Sequence, residues 1–222
     1  MTPNHEPATR RPRVLLADDH TMIMEGLSSV LEPEFDIVGR AEDGRELLAL
    51  AGQVKPDVIV ADISMPLLNG IEAVRQLKKT DSRVKIIFLT MHSEADLAVE
   101  AFRAGASGYV LKSSAAKELK TAIQESLKGR TYVTPRIAKE VLEGLMRQPT
   151  EGVDRFRALT PRQREVLQLL AEGHTSKEIA NILNVSTKTV EFHKGRIKME
   201  LGLRSIAELT QFAIKRGMVS SI

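Results

Sequence analysis

Three carboxylates, a hydroxyl and an ammonium stand where short apolar runs end: Asp18 and Asp19 after residues 14–17, Asp62 after Val58–Ala61, Thr90 after 86–89, and Lys112 after 109–111. Side-chain oxygens of this kind suit Mg2+, which takes one or two carboxylates and completes its octahedron with water and phosphate oxygens. Three carboxylates held together are unfavourable without a cation, so the cluster is a candidate for function. Taken singly, each residue has a plainer reading. Asp19 could cap the next helix, Lys112 could be a solvated charge, and Thr90 could be a turn hydroxyl. Taken together, those readings need four coincidences at four strand ends.

Bringing these residues together requires a particular scaffold. Residues 14–17, 36–38, 58–61, 86–89 and 109–111 are short and rich in Val, Ile and Leu, as strands covered on both faces are. Between them lie helically spaced sets: Leu27, Val30 and Leu31; Leu47, Leu48 and Leu50; Ile71, Val74 and Leu77; Leu97, Ala101 and Ala104; Leu119, Ile123 and Leu127. Gly105 and Gly129 stand where helices should stop. Five β-α units predict a parallel, doubly wound sheet of the flavodoxin-like order 2-1-3-4-5, whose carboxyl ends share one crevice. No glycine-rich phosphate loop follows the first strand, where Asp18-Asp19-His20 stands instead, which disfavours a dinucleotide or P-loop site.

The 222 residues allow two ordinary domains. With no cysteine, disulfides, thiolate catalysis and Cys-based zinc sites are excluded, which fits a reducing, cytoplasmic setting. No apolar stretch approaches the ~18 residues of a membrane span, and residues 1–12, rich in Pro and Arg, are expected to form a disordered tail. The net charge of +3 hides an asymmetry: residues 13–128 sum to −4 and residues 129–222 to +6, with 12 basic against 6 acidic residues in 155–222. A basic domain beside an acidic one suggests a polyanionic partner.

The set Asp18-Asp19, Asp62 with Met65-Pro66 and Gly70, Thr90, and Tyr109 three before Lys112 resembles the receiver domain of two-component response regulators over about residues 13–128. The resemblance implies that Asp62 accepts a phosphoryl group from a sensor histidine kinase. It implies that Asp19, Asp62 and the backbone carbonyl of Ser64 ligate Mg2+, with Asp18 acting through water, and that Lys112 pairs with the phosphoryl oxygens. Thr90 would swing toward those oxygens and vacate space into which Tyr109 turns. Carboxylate attack on phosphorus suits these residue types, the remaining work being positioning and charge neutralisation. Ser113 replaces the proline that many receivers carry after the lysine, which removes a cis X-Pro bond there. Met91, bulkier than the usual residue after the threonine, is expected to narrow access to the phosphoryl group. His92 reads as a modulator or a surface residue.

The second half reads as helices. Thr160-Pro-Arg-Gln, Thr175-Ser-Lys-Glu and Ser205-Ile-Ala-Glu are capping boxes; Ser186 caps a further helix, and Gly173, Gly202 and Gly217 are stops. A short second helix and a tight turn at Asn184-Val185 mark a helix-turn-helix. The third helix would bury Val190, Ile197 and Leu201 and present Thr187, Lys188, Glu191, Phe192, Lys194, Gly195, Arg196 and Lys198 to the major groove. Phe192 reads two ways, as a contact to a thymine methyl or as core. His193 is expected to pack or hydrogen-bond within the domain. Leu159-Thr160-Pro161-Arg162, Glu165-Val166-Leu167, Ile179-Ala180, Thr189-Val190 and Leu201-Gly202-Leu203 resemble the LuxR-type DNA-binding domain, with Glu200 where that family often has Lys. The whole chain thus resembles NarL/FixJ-type response regulators.

The organisation expected is a tail (1–12), a receiver (13–128), a linker with a short helix (129–155) and a DNA-binding domain (156–222). The linker's stripe would be Ile137, Val141 and Leu145, followed by a flexible stretch around 148–154. The expected function is transcription control by Mg2+-dependent phosphorylation of Asp62, which frees the DNA-binding domain from receiver contacts and promotes homodimerisation on double-stranded DNA. Two other readings are a phosphorylation-independent regulator whose receiver only oligomerises, and an aspartate-nucleophile phosphatase. The phosphatase commonly needs a second aspartate where Ser64 stands, so the chain is expected not to be an enzyme.

Overall fold

The apolar runs of the first half pair as one parallel sheet in a computed structural model of the chain, which describes residues 10–146 and 155–219. Its strands are β1 (Arg13–Ala17), β2 (Asp36–Ala41), β3 (Val58–Ala61), β4 (Lys85–Thr90), β5 (Gly108–Leu111) and β6 (Tyr132–Val133). Val, Ile and Leu alternate between two cores because successive strand side chains point to opposite faces. Leu15, Ile59, Ile86, Phe88 and Tyr109 join the core under α2 (Gly44–Val54), α3 (Gly70–Thr80) and α4 (Ala95–Ala104). Val14, Leu16, Val58, Val60, Ile87 and Leu89 join the core under α1 (Thr21–Leu31) and α5 (Ala115–Leu127). In register, Ala17 lies opposite Ala61, Ala61 opposite Phe88, and Thr90 opposite Leu111. The residues just beyond these pairs are therefore neighbours on one edge.

The sheet order is β2-β1-β3-β4-β5-β6, so the expected 2-1-3-4-5 arrangement gains a sixth strand. A two-residue strand has no periodicity to read. It is held by backbone bonds from Tyr132 N to Ser107 O (3.1 Å) and from Thr134 N to Tyr109 O (3.0 Å). The Thr134 hydroxyl accepts from Leu111 N (3.1 Å) and donates to Glu118 (2.7 Å). The segment after α5 is thus built onto the sheet, and α6 (Ala138–Met146) follows with Ile137 and Val141 buried in the α4-side core. Leu145, expected on the same stripe, is 42% exposed, because Gly144 rather than Leu145 faces Val99 of α4.

Helix ends follow local chemistry. Asp43 and Asn69 accept backbone N–H groups at the starts of α2 and α3, while Gly105 (φ 109°) and Gly129 (φ 81°) adopt the left-handed conformation that glycine tolerates. His20, not Asp19, is the residue before α1, and no side chain caps that helix.

The second half folds as α7 (Arg155–Ala158), α8 (Pro161–Ala171), α9 (Ser176–Leu183), α10 (Thr187–Leu201) and α11 (Ile206–Lys215) around a core that includes Val166, Leu167, Ile179, Val190, Ile197 and Leu209. All three capping boxes form. Thr175→Ala should cost the helical domain about 1 kcal/mol, read as a lower thermal midpoint. The expected disordered tail and flexible stretch fall, over residues 1–9 and 148–154, outside the described residues. Arg10 itself is held by Asp57 at 2.8 and 3.0 Å. Among the described residues, no helix is long and apolar enough to cross a membrane.

Candidate functional site: an acidic pocket and an exposed basic helix

The strand ends converge as their register requires. Asp62 is 5% exposed; its Oδ1 accepts from Ile63 N (2.6 Å) and its Oδ2 from Lys112 Nζ (2.7 Å). The same ammonium lies 2.7 Å from Asp18 Oδ2. Burial pulls the Lys112 pKa down, but the charge of Asp62 and the bonds to Asp18 and Asp62 outweigh it, so the pKa rises and the side chain stays a cation. Asp19 sits at the rim, where His20 Nδ1 is 2.8 Å from Asp19 Oδ1 and 3.1 Å from Asp18 Oδ1. Ligand atoms of Asp18, Asp19, His20 and Asp62 all lie within 4.8 Å of one another. Buried Asp18 Oδ2 has the Lys112 ammonium, 2.7 Å away, beside it. Hard carboxylate oxygens gathered this closely fit a hard divalent cation. His20 was visible in the sequence only as the residue after two aspartates; its turn brings it to the cluster.

The proposed switch residues both bond to His92. Thr90 is fully buried, and its hydroxyl accepts from His92 N (3.2 Å). Tyr109 is also fully buried and already turned inward, donating to His92 O at 2.9 Å. Burial, then the charges of Glu94 and Asp62, push its phenol pKa well up, so it remains a neutral donor. Its ring joins the core under α2, α3 and α4. Met91, the residue after Thr90, is 75% exposed. His92 Nε2 lies 2.9 Å from Ser64 Oγ.

The basic helix α10 begins at the cap Ser186 and turns Val190, Ile197 and Leu201 into the core. On its outer side Thr187, Lys188, Glu191, Phe192, Gly195 and Arg196 are exposed, while Lys194 and Lys198 are half-buried. Phe192 is 65% exposed, which removes the core reading. His193 stacks edge-on against Phe192 with ring centroids 5.8 Å apart, and its buried Nδ1 has no hydrogen-bond partner. Desolvation and then the Arg162 charge lower its pKa, so it stays neutral. Glu191 bonds Ser176, and Glu200 lies 3.4 Å from Arg196, competing with any phosphate for that cation.

The helical domain docks on the acidic pocket's own loop, a contact with no signature in hydrophobic periodicity because its partners are polar. Gln168 accepts from Asn69 N (2.8 Å) and Asn69 Nδ2 (2.9 Å) and donates to Met65 O (2.9 Å). Arg164 donates to buried Glu72 at 2.9 Å. The docking face belongs to α8, the end of α9 and the turn after α11, so the exposed side of α10 remains open. The receiver contacts expected from sequence are present, and they leave the outer side chains of α10 exposed.

Comparison with known proteins matches both halves. Residues 14–124 match the response regulator receiver domain, and residues 157–213 match the bacterial regulatory proteins of the luxR family. The oxygen regulatory protein NreC of Staphylococcus aureus is 35% identical over 214 residues, covering 93% of this chain and 99% of NreC. The RcsB response regulator of Salmonella typhimurium is similar in structure, with TM-score 0.64 and 29% identity, covering 94% of this chain and 99% of RcsB. RcsB from Salmonella enterica serovar Typhimurium bound to promoter DNA with the phosphomimetic BeF3− gives TM-score 0.61 and 28% identity, covering 96% of this chain and all of that one. A parallel sheet ending in an acidic pocket, joined to a helix-turn-helix with an open basic face, thus stands beside matches that span nearly the whole sequence: the chain belongs to the two-component response regulators that regulate transcription through a LuxR-type DNA-binding domain, not to the enzymes.

Proposed function

We propose that Asp62 is the phosphoryl acceptor and that its phosphorylation promotes dimerisation and operator binding. The carrying observation is the Asp62 carboxylate, nearly buried and bonded to Lys112 at 2.7 Å beside Asp18 and Asp19. Asp19, Asp62 and the Ser64 carbonyl would hold Mg2+, with Asp18 acting through water; such a cation neutralises the carboxylates and the incoming phosphoryl oxygens. An Asp62 oxygen attacks phosphorus, the P–N bond of the kinase phosphohistidine breaks, and its electron pair stays on the imidazole. Lys112 keeps Asp18 and Asp62 close and pairs with the phosphoryl oxygens. Thr90 then turns its hydroxyl from His92 N toward those oxygens, with Tyr109 already inside as its neighbour.

In this reading residues 13–128 are the receiver, 129–155 the connection, including β6 and α6, and 156–222 the DNA-binding part, working in the cytoplasm with a sensor histidine kinase and a second copy of the chain. Helix-turn-helix units bind paired half-sites about one DNA turn, ~34 Å, apart. Because the basic side of α10 is open, control falls on pairing rather than on uncovering the helix. Lys188, Lys194, Arg196 and Lys198 supply phosphate contacts, with Thr187, Glu191, Phe192 and Gly195 toward the bases. Log affinity for operator DNA should fall linearly with log salt, and Lys188→Ala should flatten the slope by about one per bound subunit.

The open recognition face also suits a regulator that binds DNA without phosphorylation. Mg2+-dependent labelling by acetyl phosphate separates the two: labelling lost on chelation supports the acceptor reading, and a chain that never labels leaves the phosphorylation-independent one.

A further inference from the structure

Asp18, Asp19 and His20 form the turn between β1 and α1, and their polar atoms face one another. Asp18 divides its carboxylate between two partners. Its Oδ2 lies 2.7 Å from Lys112 Nζ, whereas its Oδ1 accepts from His20 N (3.0 Å) and lies 3.1 Å from His20 Nδ1. Asp62 spends both oxygens on the inner side, on Ile63 N and Lys112. His20 Nδ1 is also 2.8 Å from Asp19 Oδ1 at the rim. The buried ammonium therefore stands at one end of the acidic cluster and the exposed imidazole at the other.

The helix does not account for the ring's position. His20 precedes α1 in extended backbone, where a side-chain oxygen normally caps the first turn, yet no side chain caps α1. The ring turns to the carboxylates instead. An octahedral ion with bonds of about 2.1 Å sets neighbouring ligand atoms about 3.0 Å apart. The two separations from Nδ1, 2.8 and 3.1 Å, match two such edges, so an ion can stand where a hydrogen on Nδ1 would lie without rebuilding the turn. Mg2+ favours oxygen and water, whereas an imidazole nitrogen suits ions such as Ni2+ and Zn2+. Carboxylates by themselves also bind these later ions more tightly than Mg2+, so the informative quantity is the share of that preference carried by His20.

We propose that His20 is a metal ligand, its Nδ1 acting beside oxygens of Asp18 and Asp19, and that it makes the acidic pocket take a transition ion such as Ni2+ or Zn2+ in preference to Mg2+. This rests on the pocket being a cation site and does not require Asp62 to accept a phosphoryl group. Asp19 serves either ion, so the two compete for one pocket.

Equilibrium dialysis of the full chain against Ni2+ and, separately, against Mg2+ tests this, with His20→Asn and Asp19→Asn beside the natural sequence. Asparagine is favoured at the residue before a helix, so His20→Asn removes the ring and keeps the start of α1 folded. It should weaken Ni2+ binding by about tenfold or more, at least the loss that follows removal of a group supporting a metal ligand, and leave Mg2+ binding within about twofold. Asp19→Asn should weaken both. With Co2+ in place of Ni2+, the proton magnetic resonance spectrum of the natural sequence should contain a hyperfine-shifted, exchangeable imidazole N–H that is missing in His20→Asn. Equal losses for the two ions in His20→Asn, undiminished Ni2+ binding there, or no His20-dependent shifted N–H would overturn the proposal and leave the cation site intact. If binding of neither ion responds to Asp19→Asn, the reading of the pocket as a cation site fails, and the role of His20 falls with it.

Discussion

Asp62→Asn is expected to take Mg2+-dependent labelling by a phosphodonor to background, a loss of at least about a hundredfold for removal of an attacking group. Asparagine keeps the shape of the side chain, and its oxygen can still accept from Ile63 N, now 2.6 Å from Oδ1. What it lacks is the charged oxygen that attacks. Its amide would also set a donor against Lys112 Nζ where an acceptor now stands at 2.7 Å. Lys112 retains Asp18 at the same distance, so the pocket keeps a partner for its ammonium and the fold survives. Phosphodonor-dependent dimerisation and the accompanying rise in DNA affinity should vanish with the label. Persistence of either in the unlabelled variant would separate control from Asp62.

Gly70→Ala should be among the most damaging small substitutions in the receiver half. A methyl group built on Gly70 would collide with the backbone carbonyl of Asp62 and lie 3.1 Å from Phe88 Cε1. Neither neighbour is the free end of a flexible side chain. Gly70 N donates to Ile63 O at 2.8 Å, so the start of α3 is fastened to the residue after Asp62. Relief would have to move β3 against α3, and overpacking of this kind costs about 1–3 kcal/mol or more. The denaturant midpoint of the receiver transition should fall accordingly, and labelling should slow as Asp62 loses its position. A midpoint unchanged within error would show that the α3 start can shift freely.

Residue patterns carried much of this architecture because it is made of repeated local events. Strands β1 and β3 to β5 are apolar runs buried on both faces, and each ends on a residue of the pocket, so Asp18, Asp62, Thr90 and Lys112 could be grouped before any coordinates. Capping boxes at Thr160, Thr175 and Ser205 and the left-handed glycines 105, 129, 173, 202 and 217 punctuate the helices by chemistry local to a few residues. The rest depends on long-range polar contacts. Strand β6 is only Tyr132–Val133, held by backbone bonds and the Thr134 hydroxyl, and leaves no alternation to detect. The Gln168, Arg164 and Glu172 contacts to the 64–72 segment join residues about a hundred positions apart, and on α8 alone these three look like ordinary polar positions. Tyr109 could be paired with Thr90 from sequence, but which way its ring turns depends on the core it joins. Phe192 was ambiguous for a similar reason: only the packing of Val190 and Ile197 beneath it determines that it faces out.

A phosphoryl group at Asp62 is expected to pair two chains and thereby raise operator affinity. It is tested most directly by sedimentation velocity of the intact protein, with operator binding measured on the same samples, in Mg2+ with and without beryllofluoride as the phosphoryl mimic. The mimic should convert monomer to dimer and tighten operator binding by about tenfold or more, the scale of a 1.4 kcal/mol coupling. An unchanged sedimentation coefficient together with unchanged affinity, in a sample whose Asp62 is shown to carry the mimic, would contradict it.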